Sequence, residues 1–232
     1  MQGIIFDFDD TLVETTIYFD QAKEKFAAKM KELGFPIPEA LDTLNKFDIR
    51  NVLNCGGFLK ECFPKALVET YEYYCSLHNL KACRTTAAWL EQLGWKVFDA
   101  PVVLIDGAEK VVKELARDYR LFLATKGEPE TQVKRLKATG LAQYFEKVYV
   151  VPDKTPVEYK RIAAENRLEP AQSWVVGNSM KGDINPGLKV GFNCIHVYHR
   201  HTWDFEEEPP VGDFVSVQSL EEIPDIIKNG EK

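Results

Sequence analysis

The 232-residue sequence predicts an α/β protein, a doubly wound parallel sheet interrupted near its start by an α-helical insertion. Three observations lead there. After Pro101, apolar runs of four to six residues alternate with helical stretches; no hairpin turn joins any two of the runs; and residues 15–100 carry helical patterning throughout. Continuous apolar strands separated by helices are what a parallel sheet covered on both faces requires.

The first strand is residues 3–8, built on Ile4, Ile5 and Phe6. In the insertion, "FDQAKEKFAAKMKELGF" sets Phe19, Phe26, Met30 and Leu33 near one helical face, with Gly34 and Pro36 as a stop. "PKALVETYEYYCSLHNL" and "TTAAWLEQLGW" continue the pattern, and Tyr71, Tyr73, Tyr74 and Trp89 are expected to supply a separate small core. Gly56–Gly57 reads as a hinge, a close approach or a helix break. Then "DGAEKVVKELARDY" is a helix opened by an Asp106 cap, followed by the strand "RLFLAT". The helix "EPETQVKRLKATG", strand "KVYVV", helix "PVEYKRIAAENR" and strand "SWVVG" come next. A helix near 180–190 leads to the strand "FNCIHV", and the tail "SLEEIPDIIKN" opens with a capping-box pattern, Ser219 to Glu222. The division expected is 1–14 with 101–232 as the sheet domain and 15–100 as the helical one.

Composition narrows the partners. A net charge of −7 argues against a broad nucleic-acid or anionic-membrane surface, so an anion must be met by local positive charge. No apolar run approaches a membrane span, and the first residues lead into a strand without the regions of a secretory signal. The five cysteines, Cys55, Cys62, Cys75, Cys83 and Cys194, are odd in number and lack zinc-knuckle spacing. A cytoplasmic location is the expectation.

Ligands of a doubly wound sheet bind at the carboxyl ends of its strands. Asp7 and Asp9 follow the first apolar run, Thr125 closes "LFLA", Lys154 follows "KVYVVPD", and Asn178 and Asp183 follow "WVVG". All therefore fall on one edge. Gathered carboxylates suit Mg²⁺, which prefers hard oxygen ligands. Lys154 can hold an anion as a point charge, Thr125 offers a hydroxyl, and the "TKG" segment with Lys126 joins the phosphate-binding set. Such a set brings a phosphoryl group to a carboxylate: Asp7 attacks phosphorus while Asp9 handles the leaving-group proton. Asp10 reads as a capping or solvated residue, and His196, His199 and His201 as a loop beside the site, with zinc as the alternative.

Together, "DFDDTL", the Thr125 strand end, Lys154 and "GNSMKGD" resemble the haloacid dehalogenase-like (HAD) superfamily of phosphohydrolases, over about residues 1–14 and 101–200. The resemblance implies a Rossmann-like core, Asp7 as nucleophile, Asp9 as general acid/base, and Thr125 and Lys154 on phosphate. It further implies Mg²⁺ held by Asp7, the Asp9 backbone carbonyl and the acidic loop at 177–183, with Asn178 and Asp183. The insertion looks like the helical cap of the family's first cap class. One departure is Asn178, where the family usually carries an acid.

The function expected is a Mg²⁺-dependent phosphohydrolase cleaving a small phosphomonoester, its partner a small phosphorylated metabolite. A 2-haloacid dehalogenase is an alternative, but the superfamily's dehalogenases use no metal and lack the second aspartate, which is Asp9 here. A phospho-receiver domain is too short to hold the insertion. A non-catalytic phosphate-binding relative is motivated by Asn178 alone.

Overall fold

The computed structural model describes residues 2–230. It divides into two compact units, Met1–Thr16 with Val102–Lys232 and, inserted, Ile17–Pro101.

The first unit is built on six parallel strands in the order β3-β2-β1-β4-β5-β6. These are β1 (Gly3–Phe6), β2 (Arg120–Lys126), β3 (Lys147–Val151), β4 (Trp174–Gly177), β5 (Asn193–Val197) and β6 (Val215–Val217). β1 lies at the centre, pairing with β2 and β4, and all four of its residues are buried. Side-chain alternation then splits the core. Ile4, Phe6, Leu121, Leu123 and Val176 face helices α5 (Ala108–Leu115) and α9 (Ile223–Asn229); Ile5, Phe122, Ala124 and Val175 face α7 (Pro156–Asn166). α6 (Pro129–Ala138) adds Leu136 to the first of these clusters, and α8 (Asn185–Val190) packs Leu188 against the second.

The expected strands form, and β6 is a short additional one that the sequence pattern did not single out. Its burial explains this: Val215 and Ser216 are exposed and only Val217 is buried. The first strand ends at Phe6 rather than residue 8, because the chain turns there into a tight loop in which Leu12 and Val13 both donate to the Phe8 carbonyl. Asp106 does not cap α5; that helix opens after Gly107, which has φ 83° and no side-chain cap. The Ser219–Glu222 capping box is present.

The inserted unit consists mainly of four helices, α1 (Thr16–Glu32), α2 (Ile37–Cys55), α3 (Cys62–Leu77) and α4 (Arg84–Trp95). Phe26 and Met30 are buried in its core with Leu44, Phe63, Leu67 and Leu90, while Phe19 and Leu33 pack at the margin. Tyr71 and Tyr74 belong to that core, whereas Tyr73 and Trp89 are exposed. Gly56 (φ 71°) ends α2, so the Gly56–Gly57 pair is a helix break. The five cysteines are unpaired. No helix among the described residues is long and apolar enough to cross a membrane.

Candidate active site

The backbone N–H of Asp7 still donates to Val176 O (2.8 Å), so Asp7 extends the β1 pairing by one residue. Following Ile5 in alternation, its side chain meets Lys154, whose Nζ lies 2.5 Å from Asp7 Oδ1 and also donates to Asp183 Oδ1. All three are almost wholly buried. Gly177, at the end of β4, makes this approach possible: a Cβ there would fall 2.3 Å from Asp183 Cγ. Tyr159 Oη, on α7, donates to Asp183 Oδ1 (3.1 Å), and the Ser179 N–H donates to Asp183 Oδ2 (3.1 Å).

One lysine thus faces two buried carboxylates, and charge is left uncompensated. Burial first, then the neighbouring Asp183 charge, push Asp7 up to about 7 against the pull of Lys154. Burial disfavours the Lys154 ammonium, but the charges of Asp183 and Asp7 outweigh it and raise its pKa.

The other side of Asp7 is organised by Thr11. Its Oγ1 lies 3.0 Å from Asp7 Oδ2 and 3.2 Å from Asn178 Oδ1, and it accepts from the Asn178 N–H (3.0 Å). Asp7 and Asn178 therefore bring hard oxygen donors together where negative charge is in excess. That donor set fits Mg²⁺. Asp183, also expected among the metal ligands, accepts on both oxygens, from Lys154 and Tyr159 on one and from Ser179 on the other.

Asp9 forms a second centre. Its Oδ1 accepts from Thr15 Oγ1 (2.7 Å) and from Arg135 Nη1; its Oδ2 accepts from Gln132 Nε2 (2.6 Å) and, at 3.4 Å, from Thr125 Oγ1. Gln132 and Arg135 stand three residues apart on α6, hence on one helical face. Burial opposes ionisation of Asp9, but the Arg135 charge and the bonds from Thr15, Arg135 and Gln132 outweigh it and hold the carboxyl below its usual range.

The six residues Asp7, Asp9, Thr125, Lys154, Asn178 and Asp183 therefore meet at one sheet edge, as two hydrogen-bonded groups. Lys126 turns to Glu206 (Nζ–Oε1 2.5 Å). Asp10, at φ 58°, accepts from the N–H groups of Thr15 and Thr16 and so caps the start of α1. The three histidines do not converge on one point: His196 Nε2 lies 3.0 Å from Asn178 O, and His199 Nε2 lies 3.1 Å from Glu14 Oε2. A cluster of Asp10, Glu14 and His199 does bring three ligand-type atoms within 4.8 Å of one another, but its groups already satisfy each other and the start of α1. The residues missed in the sequence are Thr11, Gln132, Arg135, Tyr159, Ser179 and Glu206.

Residues 1–191 match the family model of haloacid dehalogenase-like hydrolases. The chain belongs to that family. Among particular relatives, it is 26% identical to the HAD-hydrolase YfnB of Bacillus subtilis over 82% of this chain and 81% of that one. It is 23% identical to the glyceraldehyde 3-phosphate phosphatase of Methanocaldococcus jannaschii over 100% of this chain and 99% of the other. In structure it resembles a haloacid dehalogenase-like family hydrolase from Xanthomonas campestris, with a TM-score of 0.81, 22% identity, and coverage of 99% and 96%. Magnesium-bound YfnB, described as revealing interdomain movement, superimposes with a TM-score of 0.65 at 20% identity, covering 97% and 98%.

Proposed function

We propose that this hydrolase is a Mg²⁺-dependent phosphatase acting on a small phosphomonoester through an aspartyl phosphate. The observation that carries this reading is the second carboxylate, Asp9, held by its own donors two residues beyond the Asp7–Lys154 pair. An oxygen of Asp7 attacks phosphorus and the ester P–O bond breaks as Asp9, in its protonated form, gives its proton to the leaving alkoxide and becomes the carboxylate. Water then attacks the acyl phosphate, Asp9 takes its proton, and phosphate leaves as Asp7 is restored. The ionised state in which Arg135 and Gln132 hold Asp9 is the one that accepts this second proton.

Lys154 offsets charge on the transferring group, and Thr125 both faces the phosphate and orients Asp9. The side chains of Asp7 and Asn178 and the Asp9 carbonyl would hold Mg²⁺, with Asp183 acting through Lys154. Bound there, the ion supplies charge stabilisation for the phosphoryl oxygens. The inserted helical unit serves as the cap that selects the substrate. A phosphatase among the relatives and a magnesium-bound relative support the reading. The test is phosphate release from a panel of phosphorylated metabolites, with Mg²⁺ and with chelator. Metal-dependent release is expected; halide release from a 2-haloacid without metal, and no phosphate release, would replace this reading with the dehalogenase one.

A further inference from the structure

The segment between β5 and β6 contains the histidine-rich stretch, and the chemistry assigned to Asp7 and Asp9 does not use it. It is tied to the rest of its unit at several points. His199 bonds Glu14; Lys181 Nζ sits 3.3 Å from the centre of the Phe205 ring and donates to Phe205 O (3.2 Å). Asn185 Nδ2 donates to Glu208 Oε2 (3.2 Å) and Pro209 O (3.0 Å), and Asn185 Oδ1 accepts from the Val211 N–H (3.1 Å).

Glu206 stands apart among these contacts because it buries a charge. Its side chain is 12% exposed, and its carboxylate takes Lys126 Nζ and Ser179 Oγ, each at 2.5 Å. Lys126 ends β2 and Ser179 follows β4, the two strands that flank β1 and so bracket the end carrying Asp7. Burial opposes ionisation of Glu206; the Lys126 charge, these hydrogen bonds and the charge of Lys154 overcome it. Glu206 therefore lies within the field of the lysine that serves Asp7. Phe205 and Asn185 already fasten the segment on either side, and a buried ion pair adds little as a further tie. Gly182 borders the same space: a Cβ there would lie 3.0 Å from Ser179 Oγ, 3.2 Å from Glu206 Oε2 and 3.3 Å from Lys126 Nζ.

We propose that Lys126 and Ser179 form an oxyanion subsite beside the Asp7–Lys154 centre, filled by the protein's own Glu206 carboxylate until a phosphoryl oxygen of the ligand replaces it. This rests on the reading of that centre as a phosphate site. The exchange swaps one anion for another on the same ammonium and hydroxyl, so the burial of Lys126 stays compensated throughout. It also gives product phosphate a competitor: the returning Glu206 carboxylate drives it out.

The experiment is calorimetric titration with inorganic phosphate, with and without Mg²⁺, on wild type, Glu206→Gln and the double variant Lys126→Met/Glu206→Gln. Hydrogen exchange of amides 204–208 is followed in wild type, with no substitution involved. Glu206→Gln should bind phosphate about tenfold more tightly, the double variant should lose that gain, and saturating phosphate should speed exchange at 204–208. Wild-type affinity in Glu206→Gln, or unchanged exchange at saturation, overturns the subsite while leaving the phosphate centre standing. If folded wild type and Glu206→Gln both fail to bind phosphate, the phosphate-site reading itself falls and takes the subsite with it.

Discussion

Replacing Asp7 by Asn should stabilise the metal-free protein above neutral pH. The carboxyl is buried and shifted from 3.8 to about 7, so the folded state holds a proton that the unfolded chain has already released. Stability from a raised carboxyl is fully present below its unfolded pKa and is lost as pH rises through the folded value. For Asp7 that window runs from about pH 4 to about pH 7. At 1.36 kcal/mol per unit, the shift corresponds to roughly 4 kcal/mol as a ceiling, reached above the folded pKa. Asn is isosteric with the protonated acid and its carbonyl oxygen still accepts from Lys154, so the substitution recovers most of that amount. Urea denaturation in chelator at pH 5, 6, 7 and 8 is the assay, followed by far-UV dichroism and tryptophan fluorescence. The gap in favour of Asp7→Asn should be about 1 kcal/mol at pH 5 and grow to about 2–4 kcal/mol at pH 8. Adding Mg²⁺ should close it, because only the wild type gains a carboxylate ligand. A variant less stable than wild type by the same margin at every pH would show that the Asp7 carboxyl is not raised by folding.

Arg135→Ala should move the Asp9 limb of the pH–rate profile upward, since the cation that offsets the effect of burial is gone, and Arg135→Lys should restore most of it. An unmoved limb would detach Asp9 from the titration. Asn178→Asp, returning a carboxylate beside Asp7, should lower the Mg²⁺ concentration for half-maximal activity by about tenfold; an unchanged requirement places the metal elsewhere. Gly177→Ala should destabilise by at least about 2 kcal/mol, because its Cβ would overlap Asp183 and drive it from Lys154 and the Ser179 amide. A thermally stable, active Gly177→Ala protein would show that this close approach is dispensable.

The sheet was legible because its strands are continuous apolar runs, and a parallel sheet exposes neither face. β6 was not, since one buried valine carries no period. The site's strand-end residues followed from one rule about where doubly wound sheets bind ligands, and Asp7, Lys154 and Asp183 meet as that rule requires. What the rule does not reach is the layer around them. Gln132 and Arg135 sit on a helix that reads as an ordinary polar surface, and nothing in its pattern marks them as partners of Asp9. Thr11 was in plain view two residues beyond Asp9, but nothing in a lone hydroxyl says that it will join Asp7 to Asn178. Glu206 lies twenty-seven residues from Ser179 in the chain, within an acidic run that reads as solvated, and only folding shows its charge to be buried. Lys126 was assigned to phosphate by its place after Thr125; that this lysine has a carboxylate partner is a fact of the tertiary structure.

In the proposed mechanism Asp7 becomes covalently phosphorylated during turnover. This is tested most directly by quenching the enzyme during hydrolysis of a phosphomonoester in Mg²⁺, reducing with borohydride, and reading the peptide spanning residues 3–15 by mass spectrometry. Reduction of an aspartyl phosphate leaves homoserine, so that mass change is expected at Asp7 in wild type during turnover and should be absent in Asp7→Asn, which should not turn over. Sustained phosphate release with Asp7 unmodified, or turnover by folded Asp7→Asn near the wild-type rate, would contradict that mechanism.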